Sequence, residues 1–139
     1  MIVDATILAE MRTQWSAVQA LGEPERGVVP LVGIMYVLPD KDARYYNLPL
    51  LLAFAALEQV LDELIAQGTV PRPKGRQNLQ SKMAAANGPL QWLDYSHLDG
   101  GRVRRNALAH EAVLVGASDC RSLIAGIGAQ LLAWGVLTQ

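Results

Sequence analysis

The sequence predicts an all-α fold: a bundle of four or five helices with an irregular or short extended insertion at residues 23–47. Three observations support this prediction. Apolar residues recur at intervals of three and four in the first, middle and last parts of the chain. Hydrophobic residues make up 51% of the 139 residues, which is ample for a core. Segments rich in glycine and proline separate the apolar stripes, and no long linker divides the chain, so we expect a single domain over residues 1–139.

The first helix is predicted to begin after Asp4, a residue type that caps helix N-termini, and to end at Gly22. Between them, apolar residues recur with the helical period: Ile7, Leu8, Met11, Trp15, Val18 and Leu21.

The insertion follows this helix. Residues 23–27 read as a turn, and the apolar run 28–38 is interrupted by Pro30 and Gly33. That run is compatible with a short strand, an extended arm or a buried loop. A second turn at 39–42 leads to a helix for which Asn47 is the expected cap, with Pro49 in its first turn and Gly68 at its end.

The second half of the chain alternates short helices and turns. Residues 69–76 form a basic, proline-containing loop, interpreted as a solvated connector or as a neighbour of a bound phosphate. Helical segments are expected at 79–86 and 90–98, with a break at Gly100-Gly101 and a further helix over 102–110. Ser118-Asp119 is the expected N-cap of the last helix.

The composition of the chain narrows the classes of function that this protein can have. The net charge of −1 disfavours a nonspecific nucleic-acid coat protein, so any RNA contact has to be local. Cys120 is the only cysteine, which precludes an internal disulfide and fits a reducing cytoplasm. The N-terminus lacks the pattern of a signal peptide, and the apolar stretches are too short or interrupted to span a membrane. A sparingly charged surface favours a homo-oligomer.

Most familiar catalytic motifs are missing from the sequence. It contains no GxGxxG, no Walker loop, no HExxH and no Gly-x-Ser-x-Gly elbow, so we expect no cofactor and no metal site. The densest polar cluster runs from Arg102 to Glu111 and contains three arginines, Asn106 and His110. On a helix Asn106 and His110 share a face, whereas Arg105 and His110 diverge by roughly 140°.

Arg105, Asn106 and His110 resemble the signature of the HEPN superfamily, helical domains in which an Arg, often followed by a polar residue, precedes a His by four to six residues. Shuffled chains of this composition contain Arg-Asn-x-x-x-His in roughly one case in 250. The arrangement of helices around the motif, with two long helices before it and a terminal helix after it, also resembles that family.

The resemblance implies a metal-independent endoribonuclease that acts as a homodimer, with two motifs facing each other in a cleft. His110 would be the acid or base, since imidazole titrates near neutral pH. Arg105 would hold the phosphate through its bidentate fork, and Asn106 would orient the histidine or the phosphate. Arg102 and Arg104 are candidate contacts to flanking RNA phosphates. A toxin or defence ribonuclease restrained by an antitoxin protein is the implied setting.

Two alternatives stay open. A catalytically silent HEPN-like domain would use Arg105 and His110 to bind a nucleotide or to stabilise a dimer, and it would bury or salt-bridge them. An unrelated helical bundle with a chance motif would point the two side chains apart.

Among other polar residues, His97 is interpreted as structural rather than as a second acid or base. The thiol of Cys120 is interpreted as inert, and Trp15, Trp92 and Trp134 as core or interface residues rather than base-stacking platforms.

Overall fold

The computed structural model describes residues 1–22, 28–31, 34–37 and 43–139. These residues form five helices and one two-stranded hairpin, which confirms the expected all-α bundle with a short extended segment. The elements follow in the order α1 (Ala5–Gly22), β1 (Val28–Leu31), β2 (Ile34–Val37), α2 (Ala43–Ala66), α3 (Leu79–Ala86), α4 (Tyr95–Glu111) and α5 (Ala117–Ala133).

The hairpin occupies the segment that the sequence left as strand, arm or loop. Its strands are antiparallel, with Val28 opposite Val37 and Leu31 opposite Ile34. The turns expected at 23–27 and 39–42 lie outside the described residues. The insertion was predicted to reach residue 47, which is wrong, because α2 already begins at Ala43.

Helix α2 is the centre of the bundle and contacts each of the other four helices. Six large side chains along it are fully buried: Tyr46, Leu50, Phe54, Leu57, Leu61 and Leu64. Burying one such side chain stabilises a fold by about 1.5–3 kcal/mol, so this stripe supplies much of the driving force for folding. The glycine expected to terminate the helix, Gly68, follows its end with a φ of +85°.

The expected cap of α2 has a different role. Asn47 lies inside the helix, where its amide Nδ2 donates to the Val115 carbonyl at 2.9 Å and its Oδ1 accepts from the Val115 N–H at 2.8 Å. Pro49, also inside the helix, has no N–H for the carbonyl of Tyr45. The two buried hydrogen bonds between Asn47 and Val115 tie α2 to the connector before α5.

Helix α4 is longer than the sequence indicated. It begins at Tyr95, capped by Asp94, whose carboxylate accepts from the His97 N–H at 3.1 Å, so the helix expected over 90–98 is wrong at its start. It also continues through Gly100-Gly101, where a break was expected. A Cβ on Gly101 would overlap Leu123 and lie 3.0 Å from Phe54 Cζ. Gly101 is thus required by the close packing of α4 against α2 and α5 rather than by a turn.

The remaining helix ends are partly as predicted. Asp4 caps α1 by accepting from the Thr6 N–H at 2.8 Å, and α3 spans the expected residues with Asn78 as its cap. The predicted cap of α5 is wrong: Gly116 occupies that position without a side-chain hydrogen bond, and Ser118 and Asp119 lie in the first turn. An acidic residue there still interacts favourably with the helix dipole.

In the described part of the chain, no helix is both long and apolar enough to cross a membrane. Trp15 and Trp134 are buried in the core, as expected. Trp92 is half-buried and packs edge-on against Trp134, with ring centroids 4.8 Å apart.

Candidate functional site

Helix α4 brings Arg105, Asn106 and His110 to a single pocket, called the motif pocket below. Arg105, Asn106 and His110 all line a cavity of about 410 Å³, together with Arg102. Residues three or four apart share a helix face, which accounts for the grouping of Arg102, Arg105 and Asn106, and of Asn106 with His110. The other lining residues are Glu58 of α2 and residues 77–80 at the start of α3. The divergence expected between Arg105 and His110 therefore does not place them on separate surfaces.

Arg105 is held in place by packing and by one distant carboxylate. Its side chain is 20% exposed, and its guanidinium carbon lies 6.0 Å from the centroid of the Phe54 ring. Its Nη2 is 3.9 Å from Glu58 Oε2, which is an ion pair but too long for a hydrogen bond. Its Nε is buried and has no hydrogen-bond partner among the described residues. Because the contact with Glu58 is too long for a hydrogen bond, Nη2 of Arg105 remains able to donate to an anion in the pocket.

Glu58 is a site residue that the sequence analysis did not single out. Its Oε1 accepts from Lys82 Nζ at 2.9 Å, and Lys82 also pairs with Asp62 Oδ1 at 2.8 Å. Burial alone would lower the pKa of Lys82, but the hydrogen bonds to Asp62 and Glu58 and their negative charges outweigh it and raise that pKa. Lys82 is therefore a cation at neutral pH, and it neutralises much of the charge of Glu58.

The two flanking arginines have different surroundings. Arg102 lines the pocket, but it is buried and its Nε donates to Asp99 Oδ1 at 2.8 Å. Arg104 pairs with Asp119 Oδ2 at 3.0 Å and lines a separate cavity that also contains His97. Of the two candidate phosphate contacts, only Arg102 adjoins the motif pocket within one chain.

His110 lies in the last turn of α4 and is exposed. The helix ends immediately afterwards because Ala112 adopts the left-handed conformation with φ 53°, and its N–H bonds to the Ala107 carbonyl. Asn106, one turn earlier, is half-buried. The imidazole is thus accessible to a ligand, whereas Asn106 is partly covered by the bundle.

The other groups considered from sequence lie elsewhere. His97 is half-buried, and its Nε2 is 3.3 Å from Ser122 Oγ on α5, away from the motif pocket. The Cys120 side chain is buried, and that burial raises the pKa of its thiol, consistent with an inert cysteine. Within the ranges that the structure describes, no three His, Cys, Asp or Glu side chains are grouped so that they could hold a metal ion.

The basic loop adjoins the pocket. Arg72, Lys74 and Arg76 are exposed, as expected of a solvated connector. The loop leads directly into Gln77, which lines the pocket and donates from Nε2 to the Pro73 carbonyl at 2.6 Å. The exposed charges agree with a solvated connector, and the bound-phosphate interpretation of this loop stays a prediction.

No protein-family model, curated protein or solved structure matches this chain.

Proposed function

We propose that this protein is a metal-independent endoribonuclease of the HEPN type. The observation that carries the proposal is the convergence of Arg105, Asn106 and His110 on one pocket with the partly unsatisfied guanidinium of Arg105. A pocket with cationic donors, an amide and an accessible imidazole suits phosphodiester chemistry.

In the proposed reaction, the 2′-hydroxyl of RNA attacks the adjacent phosphorus. The new O2′–P bond forms as the P–O5′ bond breaks, so that one product ends in a 2′,3′-cyclic phosphate and the other in a 5′-hydroxyl. A base removes the 2′ proton, and an acid protonates the departing O5′. Arg105 stabilises the charge that develops on the phosphoryl oxygens, and Asn106 orients the phosphate or the imidazole. DNA lacks the nucleophile and is not cleaved.

The two proton transfers point to a dimer. Each chain places one histidine, His110, in the pocket. A second protomer facing the first would supply the second imidazole, so that one acts as base and the other as acid. This arrangement agrees with the homodimer that the resemblance implies. From the resemblance alone, we further propose a cytoplasmic toxin or defence ribonuclease that an antitoxin restrains.

The test is incubation of the purified protein in EDTA with a mixed-sequence RNA and a DNA of the same sequence. We expect cleavage of the RNA only, and loss of cleavage in His110→Gln and Arg105→Ala. His97→Gln is the matched control: it removes an imidazole from the same helix but from a different cavity, so it should retain cleavage. Equal loss in His97→Gln and His110→Gln would mean that the assay reports folding rather than catalysis.

A catalytically silent nucleotide-binding or interaction domain is the second candidate. The ion pair between Arg105 and Glu58 favours it, because a catalytically silent domain is expected to bury or salt-bridge the arginine of the motif. A well-folded wild-type protein that binds RNA or a nucleotide, and loses this binding in Arg105→Ala, yet cleaves no RNA would establish this candidate.

A further inference from the structure

The motif pocket contains a carboxylate that competes with any bound anion for Arg105. Glu58 is the only carboxylate among the described residues that line it, and its Oε2 lies 3.9 Å from Arg105 Nη2. An RNA phosphate bound by Arg105 would bring its negative charge close to this carboxylate. The two anions repel each other and seek the same guanidinium.

Lys82 limits that competition. It binds the other carboxylate oxygen of Glu58 at 2.9 Å, and its side chain is only 10% exposed, which keeps the ammonium in place. It is also anchored to Asp62 at 2.8 Å, so it does not depend on Glu58 for a partner. When a phosphate draws Arg105 away, Glu58 keeps a cationic partner.

We infer that Glu58 is a built-in counter-anion that occupies Arg105 in the empty pocket and gives way to a phosphate group, with Lys82 holding the displaced carboxylate. The inference rests on the proposed function for the identity of the natural ligand, an RNA phosphodiester. In it, Glu58 and Lys82 are positioning residues, since both act through Arg105. They set how strongly the pocket binds phosphate.

Glu58→Gln keeps the shape of the side chain and removes its charge, while Lys82 keeps Asp62. The expected result is tighter binding of inorganic phosphate and of a noncleavable 2′-O-methyl oligonucleotide, by about 3- to 5-fold, the range for one partly exposed ion pair. The dissociation constants can be measured by calorimetry for phosphate and by fluorescence anisotropy for the oligonucleotide.

Asp62→Asn is the matched control. It removes the same charge from the same lysine, but Asp62 does not line the motif pocket. We expect it to change phosphate binding by less than about 1.5-fold, as for an exposed surface charge. An equal gain in Asp62→Asn and Glu58→Gln would show that only net charge matters and would overturn the inference.

Lys82→Met should change phosphate binding in the direction opposite to Glu58→Gln. Without Lys82, Glu58 competes fully for Arg105, so phosphate binding should weaken by about 3-fold. In a Glu58→Gln background, the same substitution should have a clearly smaller effect, which separates the role of Lys82 through Glu58 from a direct attraction to phosphate. An equal effect in both backgrounds would contradict the inference.

Separate measurements of phosphate binding and RNA cleavage distinguish a failure of this inference from a failure of the proposed function. If Glu58→Gln tightens phosphate binding but no form of the protein cleaves RNA, the inference holds and the ribonuclease proposal fails. If RNA is cleaved but Glu58→Gln leaves phosphate binding unchanged or weaker, the ribonuclease proposal holds and the inference fails. If neither wild type nor Glu58→Gln binds either probe, the inference is overturned.

Discussion

Arg105 shows how one side chain combines packing and chemistry. Its guanidinium carbon lies 6.0 Å from the centroid of the Phe54 ring, its Nη2 approaches Glu58, and its buried Nε has no hydrogen-bond partner among the described residues. An unsatisfied buried donor costs stability, about 1–3 kcal/mol in general. Under the proposed function, the guanidinium gains a partner when an RNA phosphate binds in the pocket.

Replacing Arg105 with lysine tests whether the guanidinium itself is needed. Lysine keeps the charge but loses the planar fork and the guanidinium contact with the Phe54 ring. We expect Arg105→Lys to reduce RNA cleavage by about 10- to 100-fold, with little change in the denaturation midpoint. The control is Arg12→Lys, since Arg12 Nε donates to the Val136 carbonyl, far from the pocket. Full activity in Arg105→Lys would show that only the positive charge matters.

The sequence predicted these site residues only where they are close together in the chain. Arg105, Asn106 and His110 fall within one turn and a half of helix, so their spacing alone indicated a shared site. Glu58 lies on another helix, and its sole sequence signal was a polar position beside an apolar stripe. That signal also fits a solvated helix face, which is why the carboxylate could not be identified without the packing of α2 against α4.

At the scale of elements, the predictions were right where local signals decide the structure. The Asp4 cap and the helix over 79–86 depend on nearby residues alone. The predictions were wrong where tertiary packing overrides local preference. Asn47 carries the signal of a helix cap and Gly100-Gly101 that of a break, yet all three lie inside helices. Asn47 forms buried hydrogen bonds to Val115 there, and Gly101 packs closely against Leu123 and Phe54.

The two adjacent glycines of α4 offer a matched pair of substitutions. Gly101→Ala should lower the free energy of unfolding by about 1–2 kcal/mol, because its Cβ would meet buried Leu123 and Phe54. Gly100→Ala has no atom within 4 Å of the added Cβ and should raise that free energy by about 0.5–1 kcal/mol through helix propensity. Urea denaturation of both variants measures the difference. A gain in both would contradict the close packing of α4.

At the scale of the whole molecule, the bundle leaves the motif at its surface. The core runs along α2, and the pocket forms where α4, α2 and the start of α3 meet. Under the proposed function, a net charge of −1 means that the pocket, rather than the overall field, would attract RNA. Because Glu58 and Asp99 offset the charges of Arg105 and Arg102, that attraction would be short-range.

The proposed pairing of two His110 residues predicts a functional homodimer. Light scattering should give twice the chain mass of 15.1 kDa at assay concentrations. Cleavage per chain should fall on dilution as the dimer dissociates, because a monomer lacks the second imidazole. A monomer whose cleavage per chain is constant over a hundredfold dilution would contradict this arrangement.

The most direct test of the central claim is the chemistry of the ends that the protein leaves on RNA. Mass spectrometry of the products made in EDTA should show a 2′,3′-cyclic phosphate on one fragment and a 5′-hydroxyl on the other, and neither should appear with His110→Gln. Products with a 3′-hydroxyl and a 5′-phosphate, or unchanged products from His110→Gln, would contradict attack by the 2′-hydroxyl in the pocket of Arg105, Asn106 and His110.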